Sequence, residues 1–294
     1  MEKGSAAGAH DASAAEPEMR FDIGEFYSPM YDTREIAEIR ERLWPGPPRA
    51  TPGIDWRESA QRDLCLDVFA GQSSRSFPEE SDDPTEYFVR NGQYPPLDAW
   101  ALEGMLRLLG PRRMVEVGCG YSTLVSARTN REDLGGRMEL TCIDPHPKPF
   151  LLEGALPGVT ALLPEKVEDA PLELFEGLEA GDVLFIDTSH TVKTGGDVTW
   201  LFNEILPRLR PGVVVHIHDI FLPYEYPEEW VMGGNGWNEM YLVHSFLLFN
   251  EAFEILWGAA YMLAHQLEAV FTAFPDLPRY AAMAGGALWI RRKA

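Results

Sequence analysis

The chain has 294 residues, 45% of them hydrophobic, which is enough for a sizeable globular core. Its formal charge of −21, from 25 Lys and Arg against 46 Asp and Glu, repels phosphate backbones and argues against nucleic acid as a substrate. The basic groups Arg112, Arg113 and Arg291-Arg292-Lys293 are the only ones clustered enough to offset it locally. No run approaches the roughly 18 uninterrupted apolar residues that cross a bilayer, so no membrane partner is expected. Three cysteines (Cys65, Cys119, Cys142), with no CxxC pair, supply neither a disulfide framework nor a structural zinc, and they fit a reducing, cytoplasmic setting.

Residues 1–20 read as a disordered, Ala-rich and acidic leader without the apolar core of a secretory signal. Residues 21–95 read as a helical and irregular extension that covers the active site. Helices are expected over Thr33–Leu43, ended by Trp44-Pro45-Gly46, and over Trp56–Phe69, and Ser76–Thr85 forms an exposed acidic loop. From residue 96 the pattern becomes regular. Leu97–Leu109 has the spacing of an amphipathic helix, stopped by Gly110-Pro111. Short apolar runs then alternate with helical stretches: Met114–Val117, Leu140–Ile143, Val159–Leu163, Val183–Ile186, Val213–Ile217, Phe253–Trp257 and Ala287–Ile290. Near-continuous apolar strands alternating with helices indicate a sheet covered on both faces. The expected fold is therefore α/β: a Rossmann-like, doubly wound, seven-stranded and mostly parallel sheet over residues 96–294, preceded by the helical extension.

Ligands of such sheets bind beyond the carboxyl ends of the strands. The first strand ends in Glu116-Val117-Gly118-Cys119-Gly120-Tyr121-Ser122-Thr123, where Gly118 and Gly120 permit a sharp turn and a close approach to a ligand, and Ser122 or Thr123 can cap the next helix. A dinucleotide fingerprint would place a third glycine at position 123; Thr123 stands there instead, and Glu116 stands two residues before the first glycine. Both features favour the loop form of S-adenosylmethionine (SAM) enzymes. The second strand ends at Asp144, followed by Pro145, where a carboxylate can accept from both ribose hydroxyls. That acid alone indicates a nucleoside, since NAD enzymes share it. Glu165-Lys166-Val167-Glu168 follows the third strand, where an adenine would lie.

A second set of residues converges on the same rim. The fourth strand ends in Asp187-Thr188-Ser189-His190 and the fifth in His216-Ile217-His218-Asp219. Adjacent parallel strands would bring Asp187, His218 and Asp219 together as ligands for a divalent cation, with His190 as general base and Asp187 beside the cofactor. Imidazole in the ligand set moves the preference from magnesium or manganese toward iron or zinc. The plainer alternatives are that Asp187 caps the helix after Ser189 and that His216 is a hydrogen-bonded core histidine. Beyond Asp219 an aromatic insertion with glycine hinges, residues 220–240, has the character of a lid. Tyr224, Tyr226, Trp230 and Trp237, with His216, are the candidates for touching a small-molecule substrate, and Tyr94 of the extension or Asp98 just after it is expected to touch cofactor or substrate. An exposed edge strand carrying Trp289 is a candidate contact in a homo-oligomer.

The runs VEVGCGYST, VLFIDTSHTVKTGGDV and LPRLRPGVVVHIHDIFLPYEYPEEWV resemble a bacterial branch of the class I SAM-dependent methyltransferases, similar to the macrocin O-methyltransferase and cephalosporin hydroxylase group. FYSPMYDTREI, WNEMYLVHSFLLFNEAFEILW and GALWIRR extend the resemblance over most of residues 25–293. It implies methyl transfer from SAM, with Asp187 as metal ligand and His190 as base; a hydroxyl of a sugar or specialised metabolite is the expected acceptor, because a base and a metal suit an acidifiable oxygen. In that group an acid pair follows the fifth strand, so His218 is a departure and magnesium dependence does not carry over. The competing expectations are a SAM-using enzyme with cyclising or hydroxylating chemistry, a non-catalytic SAM-binding protein, and a dinucleotide oxidoreductase.

Overall fold

The computed structural model describes residues 20–70, 77–152, 156–278 and 285–294. All of the expected leader except Arg20 lies outside the described residues, as does Ser76 of the acidic loop. Seven strands, β1 (Arg113–Val117), β2 (Glu139–Ile143), β3 (Ala161–Leu163), β4 (Val183–Ile186), β5 (Val214–Ile217), β6 (Phe253–Gly258) and β7 (Leu288–Arg292), form one sheet in the order β3-β2-β1-β4-β5-β7-β6. β1 to β5 run parallel and β7 runs antiparallel to both of its neighbours, which gives the mostly parallel, doubly wound α/β sheet that the apolar runs predict.

The register sets the rim. Val117 pairs with Ile186 and Ile186 with Ile217, so β1, β4 and β5 end level with one another. The ladder continues one residue further, with the amide of Asp187 donating to Val117 at 2.9 Å and that of His218 donating to Ile186 at 2.9 Å. Gly118, Asp187 and His218 therefore stand side by side. The strand order reverses between β1 and β4, and that switch point opens the crevice in which open α/β sheets bind ligands.

β4 and β5 are buried along their whole length, because helices cover both faces of the sheet. The helix Pro96–Leu109 is not amphipathic as its spacing suggests: every residue from Pro96 to Leu106 is buried. The extension covers its outer side. Phe69 ends a helix that runs through Glu58–Asp63 into a π-helical turn at Leu64–Phe69, and its ring packs where a Cβ on Gly104 would stand, 2.7 Å away. Trp56 stacks on Tyr261 at 4.2 Å, and the buried Gln61 accepts the amide of Gly258 at 2.8 Å. The expected helix over Thr33–Leu43 is broken at Ile39 into Thr33–Glu38 and Arg40–Leu43.

Two tryptophans fill the far half of the sheet, and here one expectation is corrected. Trp289 is completely buried, because β7 is inserted between β5 and β6 and is no edge. It cannot offer a subunit contact. Among the described residues no helix is long and apolar enough to cross a membrane.

Candidate active site

The glycine loop is built around a buried acid. Glu116 is fully buried on β1, and its Oε1 accepts from Ser122 Oγ at 2.6 Å and from Thr123 Oγ1 at 3.0 Å. Thr123 Oγ1 in turn accepts the amide of Gly120 at 3.0 Å, so Thr123 caps the helix Tyr121–Glu132 while Ser122 serves Glu116. Glu116 thus braces the loop from behind and does not reach the cavity, which corrects its expected contact with a cofactor. Burial pushes its carboxyl up to about 8, against the two hydroxyl donors that favour the charged form. Gly118 is required by contact as well as by its φ of +81°: a Cβ there would fall 1.6 Å from the carbonyl oxygen of Asp187.

Asp144 closes the loop from the β2 side, accepting from the amide of Cys119 at 2.8 Å and that of His146 at 2.7 Å. Each carboxylate oxygen keeps acceptor capacity for a ligand. A cavity of about 410 Å³ lies along this edge, lined by Gly118, Asp144, Pro145, Val167, Glu168 and Asp187 among others. A second, of about 140 Å³, lies on the other side of the loop, with Tyr94, Gly118 to Ser122, Asp144 and Asp187 in its walls. Shared walls at Gly118, Asp144 and Asp187 make the two a trough across the switch point. Cys119, Gly120, Tyr121 and Pro145 all border it. The Cys119 thiol is buried, and a hydrogen bond with Cys142 and burial hold its pKa well above the ordinary value.

The rim gathers the expected acids and histidines, together with two acids that no motif indicates. His190 Nε2 lies 3.2 Å from Asp187 Oδ1 and 3.4 Å from Asp219 Oδ2, and its Nδ1 lies 2.9 Å from Oε2 of the buried Glu239. His218 Nδ1 lies 3.7 Å from Asp187 Oδ1 and 3.5 Å from Asp219 Oδ1, and its Nε2 lies 3.3 Å from Asp98 Oδ2. Asp187 is not a helix cap. The next helix, Asp197–Trp200, starts ten residues further on with Gly196 at its N-cap, and Asp197 holds the loop after β4, accepting from the Ser189 amide at 2.9 Å and from Ser189 Oγ at 2.6 Å. Both His190 (φ +53°) and Asp219 (φ +56°) hold left-handed backbones, which non-glycine residues seldom adopt and which concentrate at functional sites. The His190 turn is clamped from outside: its carbonyl accepts the amides of Asn238 (2.9 Å) and Glu239 (3.1 Å).

Electrostatics separate the roles. Burial opposes ionisation of Asp187, but the positive charge of His218 and the close contact of His190 win and hold its carboxyl far below the usual range. Burial would lower His190, yet Asp187 and Glu239 raise it to about 10. His218 is likewise raised against burial by Asp219 and Asp187, whereas burial raises Asp219 and Glu239. Four acids (Asp98, Asp187, Asp219, Glu239) contact only two imidazoles here. Asp187, His218 and Asp219 each offer a ligand atom within 4.8 Å of the others. Atoms about 2.1 Å from a shared cation sit about 3.0–3.5 Å apart, close to the separations above. The residues present therefore fit a divalent metal.

His216 does not reach the rim. It is fully buried, stacked 4.0 Å from Phe185 and edge-on to Trp289, and burial with the neighbouring His218 keeps it neutral. Its ring nitrogens have no partner among the described residues, so it is neither a substrate contact nor a hydrogen-bonded core histidine. Tyr94 is buried beside the site with its ring 4.9 Å from that of His218. In the insertion Trp237 packs 4.6 Å from the His190 ring and perpendicular to Trp230, while the buried Tyr226 accepts the Met240 amide. These three line a cavity of about 190 Å³ together with Tyr31, Ile36 and Leu43 of the extension. Tyr224 is half-buried and borders none of the three cavities. The extension is strapped to the insertion by Tyr31 Oη donating to Val231 (2.9 Å), Trp44 Nε1 donating to Tyr226 (2.9 Å) and the Arg40–Glu228 ion pair.

Residues 115–220, which run from within β1 past β5 and include Asp187, His190, His218 and Asp219, match a family described as a methyltransferase domain. An uncharacterized protein of Archaeoglobus fulgidus is 28% identical over 163 residues, covering 54% of this chain and 74% of its own length. Among solved structures, the O-methyltransferase TomG of Streptomyces achromogenes, in complex with SAM, is 16% identical over 90% of this chain and all of its own (TM-score 0.38). A DUF574 family protein of Streptomyces avermitilis is 15% identical over 91% of this chain and 93% of its own (TM-score 0.41).

Proposed function

We propose that this methyltransferase-domain chain transfers the methyl group of SAM to a hydroxyl of a small acceptor, a sugar or a specialised metabolite, beside a divalent metal held by Asp187, His218 and Asp219. The observation that carries this reading is the placement of His190 Nε2, 3.2 Å from Asp187, a wall residue of the glycine-loop trough, with its other nitrogen 2.9 Å from Glu239. A proton acceptor and a cation cradle thus meet at Asp187, which also lines the trough.

In this reading Asp144 would accept from the ribose hydroxyls, Val167 and Glu168 would flank the adenine, and Gly118 to Ser122 with Tyr94 would hold the methionine portion. SAM supplies an electrophilic methyl on sulfur. The acceptor oxygen forms a bond to that carbon as the carbon–sulfur bond breaks and its electron pair stays on sulfur, and the hydroxyl proton goes to His190 Nε2. A bound divalent cation would lower the hydroxyl pKa and orient the oxygen. The acids that hold the His190 proton, Asp187 above all, are those a cation would engage, and with their charge taken up the imidazole is free to accept. Trp237, Trp230 and Tyr226 provide flat apolar walls for the acceptor close to His190.

Incubation with methyl-labelled SAM and a panel of hydroxylated metabolites tests the reaction. S-adenosylhomocysteine with label in the acceptor is the expected outcome. Methylthioadenosine, or SAM consumption without a methylated product, would replace this reading with non-methylating chemistry on the same fold.

A further inference from the structure

Asp98 reaches the site from the first turn of the helix Pro96–Leu109, 120 residues away from His218 in the chain. Its side chain is completely buried. Oδ2 lies 3.3 Å from His218 Nε2 and accepts the amide of Gly286 at 2.8 Å, while Oδ1 has no partner among the described residues. A carboxylate only accepts, so Nε2 is the nitrogen that donates, and the imidazole lone pair lies on Nδ1. Nδ1 is also the nitrogen that faces Asp187 Oδ1 at 3.7 Å and Asp219 Oδ1 at 3.5 Å, both too long for hydrogen bonds and both suited to ligands of one centre. The Tyr94 ring, 4.9 Å from that of His218, keeps the imidazole in its plane.

We infer that Asp98 is a positioning residue that fixes His218 as an Nδ1 ligand and thereby selects an imidazole-preferring transition metal, such as zinc, iron(II) or cobalt(II), over magnesium. The inference rests on the metal part of the reading above and is independent of methyl transfer. Carboxylate–histidine–metal arrangements set the tautomer and raise the basicity of the ligand, and loss of the outer acid weakens metal binding by about 10- to 100-fold. Magnesium prefers oxygen ligands and gains little from such a nitrogen. Asp98→Asn keeps the volume and an oxygen for the Gly286 amide, and removes only the charge behind the imidazole.

The test is equilibrium dialysis of zinc, cobalt(II) and magnesium against metal-free full-length protein, with the cobalt absorption spectrum as a second readout. Wild type is expected to bind zinc and cobalt at least about 100-fold more tightly than magnesium, in keeping with an imidazole ligand. Asp98→Asn is expected to weaken zinc and cobalt by about tenfold or more and to shift the cobalt bands, with little change for magnesium. Unchanged affinity and spectrum in Asp98→Asn, or tighter binding of magnesium than zinc by wild type, would overturn the inference. Nitrogen-15 NMR of the zinc-loaded wild type gives a mutation-free check: a protonated Nε2 and a coordinated Nδ1 on His218 are expected, and the reverse would overturn it. SAM titration of the same samples separates failure of the metal assignment from failure of the methyltransferase reading.

Discussion

Nδ1 of His190 lies 2.9 Å from Oε2 of Glu239, a residue 49 positions further along the chain, and both side chains are buried. This pair gives the imidazole one orientation and turns Nε2 toward the rim. An acid behind a catalytic histidine holds its tautomer and stabilises the imidazolium that forms when it takes a proton. Glu239→Gln is expected to lower kcat by about 10²-fold or more, and His190→Ala by about 10²- to 10⁴-fold, with the SAM dissociation constant nearly unchanged in both. Steady-state kinetics beside calorimetric SAM titration check this. A Glu239→Gln enzyme with wild-type kcat would remove Glu239 from its role.

Gly118 touches the Asp187 carbonyl where a Cβ would be 1.6 Å away, at a φ of +81°. Gly118→Ala is therefore expected to destabilise the fold by upwards of about 3 kcal/mol, since β1 and β4 must part to admit the methyl group. Thermal unfolding measures it. An unchanged Tm would mean that the loop is looser than its contacts indicate.

Glu116 supplies a pH signature. Its folded-state pKa of about 8 exceeds the ordinary 4.5, so between those values the folded chain holds a proton that the unfolded chain has released. Stability from this group is complete below about 4.5, falls as pH rises through the window by up to about 1.4 kcal/mol per unit, and levels off above about 8. Glu116→Gln cannot ionise, so its stability relative to wild type should grow from pH 5 to pH 8. Urea unfolding at both pH values decides; parallel behaviour of the two proteins would show that Glu116 titrates normally.

Trp237 packs 4.6 Å from the His190 ring and lines the cavity between insertion and extension. Trp237→Ala is expected to raise KM for the acceptor while leaving SAM affinity alone, because the indole borders neither of the trough cavities. Competition assays with the identified acceptor measure both constants, and a loss confined to SAM binding would contradict the assignment.

The strands were legible because each is a short apolar run covered on both faces, and the rim was legible because Asp187, His190, His218 and Asp219 directly follow two of those runs. What the sequence hid is long-range. Glu239 lies on a helix, far in sequence from the histidine it holds, and carries no spacing signal; Asp98 is expected near cofactor or substrate, but nothing local points to His218 as its partner. One hint was available for Asp98: an acid in a run otherwise buried from Pro96 to Leu106 needs a partner. Likewise, Ala287–Ile290 reads as a strand, but nothing local reveals that β7 inserts between β5 and β6, so Trp289 looked exposed. Glu116 was misplaced for a related reason, because alternation along β1 turns its side chain behind the loop it was expected to face outward from.

The central claim is that the trough beside Gly118 and Asp144 is a SAM site. Calorimetric titration of the purified full-length chain with SAM tests it most directly. Saturable one-to-one binding is predicted, weakened about tenfold or more by Asp144→Ala as the ribose hydroxyls lose a charged acceptor. No heat of binding with SAM, together with tight binding of NAD(H), would contradict the account.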